Sequence, residues 1–164
     1  MKIIELLNNI TNSQSIIVFL ISMAPIGELR FSIPYGLIMT DLNWFTVYWL
    51  SVVGNILVGI IIIYILPYII GFITRFKYIN IAYSYILKRT YKNSVIIQKR
   101  KYYGLMFFVS LPLPFTGVWT GALASNLFGL SKHKSIAAIS FGVLLSSLVV
   151  TSLVYFGFIT FSYL

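Results

Sequence analysis

Glu28 and Arg30 are the residues whose types and spacing could do chemistry inside a membrane. They sit two apart in APIGELRFSIP, residues 24–34, between Pro25 and Pro34, with long apolar runs on both sides. A guanidinium can fork onto a phosphate through two parallel hydrogen bonds. A carboxyl in a dry site favours its protonated form and can carry a proton. Charges near a bilayer centre are costly and usually mark a substrate or proton path. The plain alternative is that the two residues pair with each other, or tie neighbouring segments together. A second stretch, PLPFTGVWTG at 112–121, offers hydroxyl and backbone donors at Thr116, Gly117 and Thr120. Its Trp119 could stack on a substrate or close a cavity from lipid.

Composition says what must surround these residues. Of 164 residues, 59% are hydrophobic and 9% charged, against about 25% charged in soluble domains. Lipid is therefore the expected solvent, and the length suits one membrane domain. The chain has no cysteine, one histidine and three acids. Disulfides and thiolate metal sites are excluded, and no credible triad or metal cluster remains. The chain reads as a non-enzyme without metal or cofactor. His133, between Lys132 and Lys134, reads as a solvated surface residue.

Four apolar blocks carry the candidate residues: about 15–39, 44–73, 103–130 and 136 to the C-terminus. Blocks two and four read as spanning helices over 43–73 and 132–162, longer than the roughly 20 residues a bilayer core requires. Asp41 or Asn43 can cap the first and Ser131 the second; Pro67 is expected to kink or end block two. Ser51, Asn55 and Gly59 form a small, polar stripe at helical spacing, as do Ser147 and Thr151, and both read first as helix-packing faces. Blocks one and three are interrupted, by Pro25, Gly27 and Pro34 and by Pro112, Pro114, Gly117 and Gly121. Proline removes an amide donor, and backbone groups freed in this way must line a protein-enclosed cavity rather than lipid. Each is either a kinked span or a hairpin that enters and leaves on one side. Ahead of them, residues 1–12 have the spacing of an interfacial amphipathic helix. A signal peptide with Ile16–Ile21 as its apolar run fits less well, because Glu5 and a long polar lead precede it.

Charge placement selects the hairpins. Residues 75–101 hold eight lysines and arginines and no acid, and Lys132 and Lys134 lie between blocks three and four. Four full spans would put these two groups on opposite sides, whereas two re-entrant blocks put both on one side, as the positive-inside rule prefers. The expected fold is an all-α integral membrane protein of two inverted repeats, each a re-entrant helical hairpin followed by one transmembrane helix. The repeats occupy 13–74 (hairpin 13–40) and 103–164 (hairpin 103–130), joined by a basic cytoplasmic segment, 75–102, with both termini outside. A shift of 88 residues lays Gly54 on Gly142. The tyrosine-rich basic segment is expected on anionic headgroups; nucleic-acid binding is the disfavoured rival.

GELRFSIPYG resembles an E-x-R-x-x-I-P signature, and YYGLMFFVSLPLPFTGVWTGALAS resembles the segment around P-x-P-G-T-G-x-W-T-G. Together they are similar to the small multidrug export protein family, within the DedA-like membrane protein superfamily, over nearly the whole chain from about residue 13. Phe115 departs from the motif's glycine, which puts a close ligand approach at 115 in doubt. The resemblance implies two facing re-entrant hairpins and a transport role. In the wider superfamily some members are implicated in moving polyprenyl phosphates or phospholipids between leaflets. Three functions follow. The first is a transporter of an anionic lipid in a prokaryotic plasma membrane, with Arg30, Thr116, Gly117, Trp119 and Thr120 at the substrate and Glu28 as proton carrier. The second is an exporter of cationic drugs. The third is a non-transporting scaffold. Membrane lipids are the expected partners; a homodimer is compatible, and nucleic acid is not expected.

Overall fold

The computed structural model describes residues 2–73, 95–113 and 116–162. Among them are six helices and no strand: α1 (Lys2–Met23), α2 (Glu28–Met39), α3 (Trp44–Ile73), α4 (Val95–Ser110), α5 (Val118–Leu127) and α6 (Lys132–Ser162). Only α3 and α6 are long and apolar enough to cross a bilayer, over Trp44–Phe72 and Lys132–Gly157. The 12 residues of α2 and 10 of α5 extend about 18 and 15 Å, well short of the ~30 Å hydrocarbon core. The chain divides into two compact units, one of residues 1–57 and 143–164 and one of residues 58–142.

In the first unit, α1 packs on α2 across a break at residues 24–27. The break contains Pro25, whereas Pro34 lies inside α2, where it cannot donate to the carbonyl one turn back. Residues 2–12 do not form a separate element: α1 runs unbroken to Met23. After α2, Thr40 Oγ1 donates to the Gly36 carbonyl, and the Gln14 carboxamide meets Asp41 through Nε2 to Oδ2 at 3.5 Å and the Asp41 amide to Oε1 at 3.3 Å. Asp41 thus ties the α2–α3 turn to α1, and Asn43 is the cap, its Oδ1 accepting from the Thr46 amide at 2.7 Å. Trp44, Phe45 and Trp49 stack edge to face at the start of α3 and are largely exposed. An aromatic belt of this kind marks the membrane–water interface. Helix α1 meets α3 at Gly54, where an added Cβ would meet Ser22 Oγ and, at 3.0 Å, the Phe19 carbonyl.

In the second unit, Lys101 has non-helical backbone angles (φ 36°, ψ −101°), so α4 is two helical pieces meeting at a kink. Its second piece meets α6 at Gly142, where an added Cβ would lie 2.8 Å from the Met106 carbonyl. The chain breaks again between Ser110 and Val118. Helix α5 ends on Gly129 at φ 60°; the Leu130 amide reaches the Ser125 carbonyl and the Gly129 amide the Asn126 carbonyl. That double closure needs a left-handed residue, which glycine adopts without Cβ strain. Ser131 precedes α6 and uses its backbone, its amide donating to the Tyr102 hydroxyl and its carbonyl accepting from Ser135. Pro67 lies inside α3, which continues to Ile73. The expected headgroup segment 75–94, Pro114 and Phe115 fall outside the described residues.

Candidate functional site

The first break carries the strongest local signature. Glu28 is the first residue of α2, and its φ is 52°. A non-glycine residue in that region costs roughly 1–2 kcal/mol, and such outliers cluster at working sites. Its side chain is 6% exposed. Arg30, two residues further into α2 and half-buried, lies within coulombic reach of the Glu28 carboxylate.

From Glu28 a polar ladder runs into α3. Helices α2 and α3 are antiparallel neighbours joined by a four-residue turn. Gly36 closes on Val47, and Ser32 Oγ donates to Ser51 Oγ at 2.7 Å. These two layers are one helical turn apart on both helices, since residues four apart share a face. The next turn, four residues back on α2 and four forward on α3, places Glu28 and Asn55 in one layer. Ser32, Ser51 and Asn55 are all fully buried. Asn55 adjoins Gly54, where α1 crosses. Neither Nδ2 nor Oδ1 of Asn55 has a hydrogen-bond partner among the described residues. Leaving such groups buried and unmet costs about 1–3 kcal/mol, and an amide held in that condition is ready for a polar group that enters the layer.

The second stretch uses its polar groups locally. Thr116 Oγ1 shares its hydrogen between the Leu111 and Leu113 carbonyls, both at 2.7 Å. Thr120 Oγ1 accepts from the Gly117 amide at 3.0 Å and lies 3.1 Å from the Gly117 carbonyl. Gly117 is buried and Trp119 half-buried. These bonds stitch the turn before α5 and fix how it enters the helix.

The sequence-selected residues therefore fall into two groups. Glu28 and Arg30 belong to the first unit, and Thr116, Gly117, Trp119 and Thr120 to the second. Sequence reasoning assigned Ser51 and Asn55 to packing and passed over Ser32. The available signal was numerical: Glu28 and Asn55, Ser32 and Ser51, and Gly36 and Val47 are each equidistant from the turn at residues 41–42. Among the described residues no cluster of histidine, aspartate and glutamate could hold a metal ion.

The profile of a family described as "Putative small multi-drug export protein" matches residues 28–149, starting on Glu28 itself. No curated protein and no solved structure matches the chain.

Proposed function

The chain belongs to the small multi-drug export protein family, and from that premise we propose that it is a proton-coupled transporter of anionic amphiphiles, with a lipid phosphate as cargo. The observation that carries this reading is the first break, where a buried carboxyl in a strained backbone lies within coulombic reach of an arginine, and helical spacing sets the unpartnered Asn55 amide one turn beyond the Ser32–Ser51 bond. Arg30 receives the headgroup, and Glu28 takes up a proton as the anionic headgroup arrives and releases it as the headgroup leaves. Thr116, Gly117 and Thr120 hold the second tip in shape, and Trp119 is its stacking surface. Net charge favours an anion: +9 with three acids gives a positive field that attracts anions and repels cations.

Two short interrupted helix pairs, each followed by one long apolar helix, support the inverted-repeat reading with re-entrant hairpins, a plan of the DedA-like kind. The basic segment then faces the cytoplasm and the termini the outside, so cysteines introduced at positions 41 and 90 should label from opposite sides. Labelling of both from one side ends this topology.

Export of cationic drugs is the second reading, favoured by the family's description and by the buried acid at Glu28. Reconstituted vesicles loaded in parallel with a labelled lipid phosphate and a cationic dye separate the two. Lipid-phosphate movement that is impaired by Arg30→Lys, lost with Arg30→Ala and stripped of its pH dependence by Glu28→Gln is the expected result. Dye efflux that survives Arg30→Ala and needs Glu28 selects the cationic exporter. A scaffold has another signature: each single substitution lowers the melting temperature, and replacing both charges with apolar residues restores stability and function together.

A further inference from the structure

A groove of about 290 Å³ lies between α4 and α6 in the second unit. Its mouth is formed by Lys134, Tyr102 and Tyr103, and its length by Met106, Ala138 and Phe141. Lys134 is the third residue of α6 and stands at the start of the apolar stretch Lys132–Gly157. Phe141 is seven residues on, about 10 Å deeper along the helix axis. The groove therefore begins at headgroup level and descends into the hydrocarbon, with a cation and two phenol rings at its head. Phe141 and Tyr103 are 62% and 75% exposed, so the groove opens outward to whatever surrounds the protein.

Charge identifies the occupant. All 12 lysines and arginines except Lys2 and Arg30 lie in this unit, and none of the three acids does. With no carboxylate in the unit, two of its lysines lie over aromatic rings: Lys132 Nζ is 4.8 Å from the Tyr64 ring centre and Lys134 Nζ 5.8 Å from that of Tyr102. Such contacts contribute modestly at exposed sites and leave the ammonium donors available to an anion. A ligand that meets both ends of the groove must have an anionic head and an apolar tail. We infer that this groove is a binding site for an anionic phospholipid, its phosphate on Lys134 between Tyr102 and Tyr103 and an acyl chain along Met106, Ala138 and Phe141. The site is independent of the transport cycle at Glu28 and holds whether or not the cargo is a lipid.

The test is native mass spectrometry of the intact protein released from vesicles of phosphatidylglycerol and phosphatidylcholine in equal amounts. The wild type should retain phosphatidylglycerol in preference to phosphatidylcholine. Lys134→Gln should lower that retention about fivefold, the effect of one lysine at an anionic surface. Ala137→Phe, on the exposed lip of the groove, should obstruct the acyl chain while keeping every charge. Lys132→Gln, whose ammonium sits over Tyr64 outside the groove, should leave retention unchanged. Circular dichroism of each variant confirms that it is folded. Equal retention of the two lipids, or wild-type retention by folded Lys134→Gln and Ala137→Phe, overturns the site. Displacement of the lipid by millimolar inorganic phosphate would assign the groove to free anions and overturn it as well.

Discussion

At Gly54 a long helix takes in the backbone of α1, and at Gly142 another takes in the backbone of α4, with a carbonyl 3.0 Å and 2.8 Å from the missing Cβ. The shorter partner of each pair begins after a break containing proline and glycine. Up to there the two interrupted pairs are built alike. The first carries a carboxyl and a guanidinium on α2, two bonded serines across α2 and α3, and an unmet amide on α3. The second bonds Thr116 and Thr120 to its own turn and sets the apolar Val109 and Ile139 against Gly121. A shared backbone plan therefore does not imply shared work. A buried amide still lacking a partner is where cargo or protons can act, and groups already bonded to the backbone hold a shape.

The contrast can be broken experimentally, and Asn55 offers the largest effect. Asn55→Leu removes two buried polar atoms that have no partner, so stability should rise by about 1–3 kcal/mol. Transport should fall by about tenfold or more, the loss of one well-placed hydrogen bond. Unfolding in detergent and flux in vesicles read the two changes, and unchanged flux would reduce the ladder to packing.

The glycine crossings test the shared part of the plan. Gly142→Ala sets a methyl against a backbone carbonyl and Val109 Cβ, both at 2.8 Å, and should destabilise by roughly 1–3 kcal/mol. Gly54→Ala meets Ser22 Oγ, the end of a rotatable side chain, and a carbonyl at 3.0 Å, so its loss of melting temperature should be smaller. The reverse order would show that the two crossings are not equivalent.

Smaller effects separate bonding from function. A Ser32→Ala, Ser51→Ala double-mutant cycle should give a coupling energy of about 1 kcal/mol, since each hydroxyl is the other's buried partner. Thr116→Val should lower stability by about 1 kcal/mol through its lost turn bonds and leave flux per folded molecule unchanged. If flux falls instead, the second tip contacts cargo directly.

Much of this was readable before any coordinates. Apolar runs longer than a bilayer marked α3 and α6, because lipid accepts a helix only when its surface is apolar throughout. Pro25 with Gly27, and Pro112 with Gly117, marked the two breaks, because proline lacks the amide that the preceding turn requires. Glu28 and Arg30 stood out because charge is so rarely placed in such surroundings. Three things needed the fold. Residues 2–12 and 13–23 join in one helix, since polar spacing alone contains no stop signal. Pro34 stays within α2, since a helix supported by its neighbours tolerates one lost bond. The last was the role of Asn55. From sequence it was one member of a small-residue stripe, because a stripe tells which face packs and not what it packs against. Only the antiparallel pairing of α2 with α3, in register from Gly36 against Val47 through Ser32 bonded to Ser51, puts that amide one turn further along, in the layer of Glu28. Composition and periodicity are local quantities that a chain carries along its length, whereas a hydrogen-bond partner across two helices exists only once tertiary packing has set their register.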